Sequence, residues 1–115
     1  MANTFKVLTR DVAPASAGTP ETLYTVQTGS TLVVQSIFLT NMHTAQVDVT
    51  LQLVSTTTQT NQTQNTTAHF LKDVPIPAKS SLELNKINMN EGDIIKVDCS
   101  VADKISVVMN YMEIT

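Results

Sequence analysis

Disulfide bonds cannot stabilise this protein internally, because its 115 residues include a single cysteine. Cys99 alternates with Val97 and Val101 in the sequence, a pattern that indicates a buried strand position rather than a reactive thiol. A chain of this length buries about two-thirds of the surface that its unfolded form exposes. We therefore expect one domain with a sufficient core and no cross-links.

Charged residues are also scarce, at 15% of the chain against roughly 25% in typical soluble domains. The seven Lys and Arg residues are scattered and the net charge is −3, so no basic patch is available for nucleic acid. A surface of Thr, Gln, Asn and Ser gives little repulsion between copies and suits a protein packed against neighbours. A Thr-rich β-sandwich with a neutral exterior is the alternative interpretation.

Membrane segments, helical periodicity and reactive clusters are missing as well. No apolar run reaches the roughly eighteen residues of a membrane span, and the first ten residues lack the apolar stretch of a signal peptide. The two histidines and the scattered carboxylates match no metal-site spacing, and no Gly-x-Ser-x-Gly elbow is present. We expect no catalytic residues, no metal and no other cofactor.

The sequence does contain many segments in which apolar and polar residues alternate with the two-residue period of a strand. In residues 45–54 the apolar positions are Val47, Val49, Leu51 and Leu53. Thr50 lies between them and is expected to face solvent. With turn residues about every eight to twelve positions, the sequence predicts an all-β fold, a single antiparallel β-sandwich or jelly roll of about seven to eight strands.

Proline and glycine suggest how the chain is divided. Two prolines and a glycine follow a short strand predicted at residues 5–9, and they exclude a regular central strand. We expect residues 1–20 to form an extended N-terminal arm and residues 21–115 to form the β-sandwich domain. Pro75 and Pro77 each remove a backbone donor, so their segment is expected at a sheet edge or in an extended connection.

Two predicted strands are apolar on both faces, one in residues 31–41 and the other in residues 105–114, where the second face becomes apolar toward the C-terminus. In residues 31–41, we assign to one face Leu32, Val34 and Phe38, and to the other Val33, Ile37 and Leu39. Such a strand lies under a covering segment or at a subunit contact. We predict a homo-oligomer interface at Val34, Phe38, Val108, Met112 and Ile114. The alternative is that the N-terminal arm of the same chain covers these residues.

Residues 55–67 contain no charged and no apolar side chain. This composition is consistent with a plain hairpin tip that is too polar to bury itself. It is also consistent with a binding surface, because amides and hydroxyls can hydrogen-bond a sugar or a backbone without the desolvation cost of a charge. For a binding surface, the predicted partner contacts are Thr58, Gln59, Asn61, Gln62, Gln64 and Asn65.

Three short motifs resemble a known group of proteins. The motifs are Leu23-Tyr24-Thr25-Val26-x-Thr28-Gly29-Ser30-Thr31, Pro75-Ile76-Pro77-Ala78-x-Ser80-Ser81-Leu82 and Gly92-Asp93-x-Ile95-x-Val97. With the apolar strand that ends at Asn41, they resemble the small β-sandwich virion structural proteins of tailed bacteriophages, of the marine cyanophage type. Gln27 stands where such proteins usually have proline. The likeness lies in turn and strand patterns, so no functional residue is carried over.

The resemblance implies a non-enzymatic virion protein made in the cytoplasm of a bacterial host. We expect a capsid decoration or cement subunit that forms a homo-oligomer, with a trimer favoured, and that binds other virion proteins such as the major capsid protein. The alternative is a neck, tail or baseplate component that binds a receptor or glycan through residues 55–67. Neither interpretation includes contact with nucleic acid or a membrane.

Overall fold

The computed structural model describes residues 2–55 and 66–115, and within them it contains eight strands in two antiparallel sheets. The strands are β1 (Asn3–Ala13), β2 (Glu21–Thr25), β3 (Thr31–Asn41), β4 (Val47–Val54), β5 (Thr67–Ile76), β6 (Ser81–Met89), β7 (Ile94–Cys99) and β8 (Ile105–Ile114). The predicted all-β sandwich is confirmed.

The strand order is that of a jelly roll. The first sheet has the order β1-β8-β3-β6 and the second sheet has the order β2-β7-β4-β5. The hydrogen-bonded neighbours include β1 with β8, β2 with β7, β3 with β6, and β4 with β5. These are the pairs of one long hairpin, with its tip between β4 and β5, that has been rolled into two facing sheets.

Apolar side chains on the inner faces of the two sheets form the core. The largest fully buried side chains include Leu32, Ile37, Leu39, Leu51, Met89, Ile95, Ile105 and Met109. Each contributes about 1.5–3 kcal/mol relative to an exposed position. Cys99 is buried among them, as predicted, and burial raises the pKa of its thiol.

A bulge in β3 changes which residues reach the core. Val34 pairs with Tyr111 of β8 whereas Ser36 pairs with Asn110, so Gln35 is an extra residue in β3. The extra residue reverses the alternation that follows it. The inward side chains of β3 are Leu32, Val34, Ile37 and Leu39. The predicted faces are therefore wrong after Gln35, because a bulge shifts every later side chain to the opposite side.

The N-terminal segment is part of the sandwich. β1 pairs with β8 from Asn3 opposite Ile114 to Ala13 opposite Ile105. Residues 3–13 thus form an edge strand of the first sheet rather than the arm expected there, and they lie beside β8 instead of covering its outer side. The reason is the long antiparallel ladder with β8, a partner about a hundred residues away in the sequence.

The edge strand β5 bulges where it pairs with the middle of β4. Its place at the edge of the second sheet agrees with the prediction from Pro75. Asp73 has a φ of 50°, and its backbone N–H donates to Oγ1 of Thr50 at 3.1 Å. Thr50 is consequently 5% exposed, so the expectation that it faces solvent is wrong.

Asn41 connects the two sheets at one end of the sandwich. It is fully buried, and its Nδ2 donates to the carbonyl oxygens of Ala45 and Ile76, each at 3.0 Å. Its Oδ1 accepts the backbone N–H of His43 at 2.8 Å. Because Asn41 ends β3 of the first sheet and Ile76 ends β5 of the second, one side chain holds both sheets and the connection after β3.

Replacing Asn41 with Asp tests this connection. The two side chains have the same shape, but Asp turns an acceptor oxygen toward the carbonyl groups of Ala45 and Ile76. We expect the free energy of unfolding to fall by about 2–4 kcal/mol near neutral pH, and by less in acid, where the buried carboxyl keeps its proton. Urea denaturation should show no such loss for Asn88→Asp on the exposed side of β6. Equal stability of the two variants would contradict the assigned role.

Candidate functional site

The features that distinguish this protein lie on its surface. Residues 2–55 and 66–115 form no ligand-sized pocket. The same residues hold no group of three or more His, Cys, Asp or Glu side chains placed for a metal ion. No helix long and apolar enough to cross a bilayer occurs in this part of the chain.

The outer side of the first sheet carries apolar side chains around the polar pair Asn110 and Ser36; we call this patch the outer apolar face. Its members are Phe5, Val7, Val33, Phe38, Val108, Met112 and Ile114. Met112 of β8 lies between Phe5 of β1 and Val33 of β3, while Val108 lies opposite Phe38. Side chains paired in this way have Cβ atoms about 5 Å apart and contact each other, so the patch extends over three neighbouring strands.

Exposure is greatest at the β1 side of the outer apolar face. Phe5 is 69% exposed and Val7 is 58% exposed, whereas Met112 and Val108 are half-buried by their neighbours. Single exposed apolar side chains are common on monomeric proteins, but a contiguous group is typical of a surface that another molecule covers.

Charge is missing from the centre of this face. The outward residues of β3 and β8, the two central strands of the first sheet, include no Lys, Arg, Asp or Glu. The polar side chains at the centre are partners of each other, since Nδ2 of Asn110 donates to Oγ of Ser36 at 3.0 Å. Covering the centre of this face with protein would therefore bury no charge, and its desolvation cost is low, while Glu83 of β6 lies at its border opposite Phe38.

The outer side of the second sheet has the opposite character. Its central strands β4 and β7 present Asp48, Lys96 and Asp98 outward. Gln52 and His69 pair across β4 and β5, with their nitrogen atoms 3.3 Å apart. Charged and amide groups of this kind remain hydrated on a free surface. The second sheet thus mixes charged and amide groups with apolar ones, among them Phe70 of β5, which is 38% exposed.

A polar cluster between the sheets fixes β1 beside the outer apolar face. Glu113 of β8 is 6% exposed, and its carboxylate accepts hydrogen bonds from Nζ of Lys6 at 2.9 Å and from the Tyr24 hydroxyl at 3.2 Å. The rings of Tyr24 and Tyr111 pack with their centroids 5.4 Å apart. Because Lys6 belongs to β1 and Tyr24 to β2, the cluster connects the edge strand to β8 and to the second sheet.

The charges in this cluster stabilise each other. The hydrogen bond from Lys6 lowers the pKa of Glu113 and raises the pKa of Lys6. Burial is the main reason that the pKa of Tyr24 rises to about 12. A second ion pair joins Arg10 of β1 to Glu21 of β2. Both charged side chains that point inward from β1 therefore have a carboxylate partner.

Four of the five predicted interface residues lie together on the outer apolar face, namely Phe38, Val108, Met112 and Ile114. Val34, the fifth, is fully buried between the sheets in the protomer and is not available to a partner. The bulge at Gln35 is the cause. Sequence reasoning missed Phe5 and Val7, which it placed in an arm, although their alternation with Lys6 was the signal that could have found them.

The structure does not test the predicted polar contact loop. Its six residues, Thr58, Gln59, Asn61, Gln62, Gln64 and Asn65, fall between β4 and β5 and lie outside the described residues. The alternative function that depends on them stays a prediction.

Comparison with known proteins assigns no family. No protein-family model matches the chain, and no curated protein is significantly similar to it in sequence. The functional proposal therefore depends on the surfaces of this chain and on the sequence resemblance described above.

Replacing Glu113 with Gln tests the polar cluster. With its pKa lowered from the ordinary value of 4.5, Glu113 contributes stability above that pH, and the contribution is lost as the pH falls through the lowered value. The pKa of Lys6 is raised above 10.5. Its contribution to stability is therefore complete below pH 10.5 and is lost as the pH rises through the raised value. We expect Glu113→Gln to lower the melting temperature at neutral pH. As the pH is lowered, the melting temperature of this variant should decrease less steeply than that of the wild type.

The matched control is Glu83→Gln, which removes an exposed carboxylate on β6, the edge strand on the far side of β3 in the same sheet. Thermal melts across the acid range should leave this control close to the wild type. An acid-side loss of stability that is the same in Glu113→Gln and in the wild type would contradict the role of Glu113.

Proposed function

We propose that this protein is a non-enzymatic structural subunit of a virion. In the form we favour it is a capsid decoration subunit that assembles as a homo-oligomer, with three copies preferred, and contacts the major capsid protein. The outer apolar face is the observation that carries the proposal. It is a contiguous apolar surface with an uncharged centre, on a chain with few charges overall.

The whole outer side of the first sheet, of which the outer apolar face is the part formed by β1, β8 and β3, is large enough for an assembly contact. Four strands about 4.8 Å apart and about ten residues long, at about 3.3 Å per residue, cover about 600 Å² in projection. A stable interface of standard size buries roughly 800 Å² of accessible surface on each partner, and side-chain relief makes accessible area larger than projected area. One side of the first sheet is therefore large enough for one such contact.

The jelly-roll fold is compatible with a virion role but does not by itself assign one. Jelly rolls occur in viral capsid proteins, but also in lectins and cupins, so the fold alone does not assign a function. The sequence resemblance to virion proteins favours the first of these classes. The position of the apolar residues, on a flat outer side instead of in a cleft, also favours a protein partner over a small ligand.

Replacing Met112 with Glu tests the proposal at the centre of the face. The side chain points outward and is half-buried, so the variant should fold. A carboxylate buried in an assembled interface costs several kcal/mol. We expect the variant to be lost from purified particles and to form smaller oligomers by light scattering.

The matched control is Ile94→Glu, which introduces the same charge at a half-buried aliphatic residue on the outer side of the second sheet. It should enter particles as the wild type does. The assembly role is contradicted if Met112→Glu is incorporated as well as this control, or if the wild type is a monomer at micromolar concentration. The number of copies per particle then locates the subunit, since many copies indicate the capsid and few indicate the neck or tail.

A further inference from the structure

We propose a second contact between copies of this chain: β1 of one subunit pairs edge to edge with β1 of another, antiparallel and around a two-fold axis. The two first sheets would then form one continuous eight-stranded sheet. The inference rests on the free edge of β1 and not on a virion role, so either can fail without the other. It involves the backbone at the sheet edge, whereas the proposed assembly contact involves side chains on the sheet face.

The other three sheet edges in the described structure are interrupted. β2 is five residues long and its register shifts between Thr22 and Tyr24. β5 contains Pro75, and Asp73 has a φ of 50°. β6 contains Lys86 with a φ of 57°. Short strands, prolines and irregular residues are the usual features that prevent a free edge from pairing with another chain.

β1 lacks these protections over most of its length. From Asn3 to Arg10 it pairs with β8 without a shift in register, and it contains no proline. Its inward charges, Lys6 and Arg10, have partners in Glu113 and Glu21, so a second strand beside β1 would leave neither of them without a counter-charge. Among the edge strands of the described residues, β1 thus has a regular run from Asn3 to Arg10, which ends at its own register shift between Arg10 and Ala13.

The hydrogen bonds at the chain ends show which groups of β1 are free. Ala2 and Thr115 exchange two backbone hydrogen bonds, at 2.8 and 2.9 Å. Because bonded and non-bonded pairs alternate along an antiparallel ladder, the even-numbered residues of β1 bond to β8. The N–H and C=O groups of Phe5, Val7 and Thr9 therefore point away from β8, toward the free edge.

Charge selects the register of the proposed pair. A two-fold axis at Lys6 would place Lys6 opposite its own copy, and an axis at Leu8 would place Lys6 opposite Arg10; both put like charges together. An axis at Phe5 shortens the ladder because β1 begins at Asn3. An axis at Val7 avoids these problems. It places Lys6 opposite Leu8 and uses about six hydrogen bonds between residues 5 and 9 of the two strands.

This register joins the two outer apolar faces. A two-fold axis perpendicular to the sheet keeps the outer sides of both subunits on the same side of the pair. Phe5 and Val7, the most exposed members of the outer apolar face, then lie at the centre of a surface twice as wide. The second copy also covers part of the Phe5 and Val7 side chains that water contacts in the single subunit.

Cysteine cross-linking tests the register. Val7→Cys should form a disulfide across the axis under mild oxidation, since bonded antiparallel pairs have Cα atoms about 5.5 Å apart. A non-reducing gel should show a band at twice the 12.5 kDa of the chain. Phe5→Cys alone should not cross-link, because its copy lies four residues, or about 13 Å, along the strand. A mixture of Phe5→Cys with Thr9→Cys should cross-link, because these residues are opposite each other.

The wild type is the background control, since its single cysteine is buried. Equal cross-linking of all variants that carry one added cysteine, or none for Val7→Cys, would overturn the proposal. Val7→Pro gives an independent test: it removes an N–H that points away from β8, so it blocks the edge and spares the protomer. We expect it to halve the mass measured by light scattering, and an unchanged mass would count against the two-fold contact.

Discussion

The hydrogen-bonded ladder between β1 and β8 is the contact on which the rest of the structure depends. It joins the two ends of the chain, where Ala2 and Thr115 bond to each other, and it closes the rolled hairpin into a jelly roll. Without β1, Phe5 and Val7 would leave the outer apolar face, Glu113 would lose its partner Lys6, and β8 would become a free edge. Pairing of β1 with β8 thus both closes the fold and completes the outer apolar face.

The few charged side chains are distributed unevenly between the outer sides of the two sheets. The central strands of the second sheet place Asp48, Lys96 and Asp98 outward, whereas those of the first sheet place no charged side chain outward. A sandwich with one hydrated side and one apolar side has a defined orientation for assembly. The proposed edge contact through β1 would extend the apolar side without covering it, which leaves it for a further partner.

Much of the fold could be predicted because alternation reports which side of a strand is buried. The fold class, the buried Cys99 and the edge position of Pro75 all follow from local patterns. The errors arose where a local pattern is insufficient. A one-residue bulge at Gln35 leaves no mark in composition, and the burial of Thr50 depends on the bulge of β5 beside it. The partner of β1 is about a hundred residues away in the sequence, so the local alternation that predicts a strand at residues 5–9 does not show that this strand pairs within the sandwich.

The methionines of this protein allow a direct measurement of whether the outer apolar face is covered. Methionine oxidation by peroxide follows exposure, and mass spectrometry can compare dispersed subunits with assembled particles. Met112 lies on the outer apolar face, Met89 and Met109 are fully buried in the core, and Met42 is half-buried after β3. We expect Met112 to be oxidised in dispersed subunits and protected in particles, while Met42 reacts in both and the core residues in neither. Equal oxidation of Met112 in the two states would contradict the proposed covering of this face.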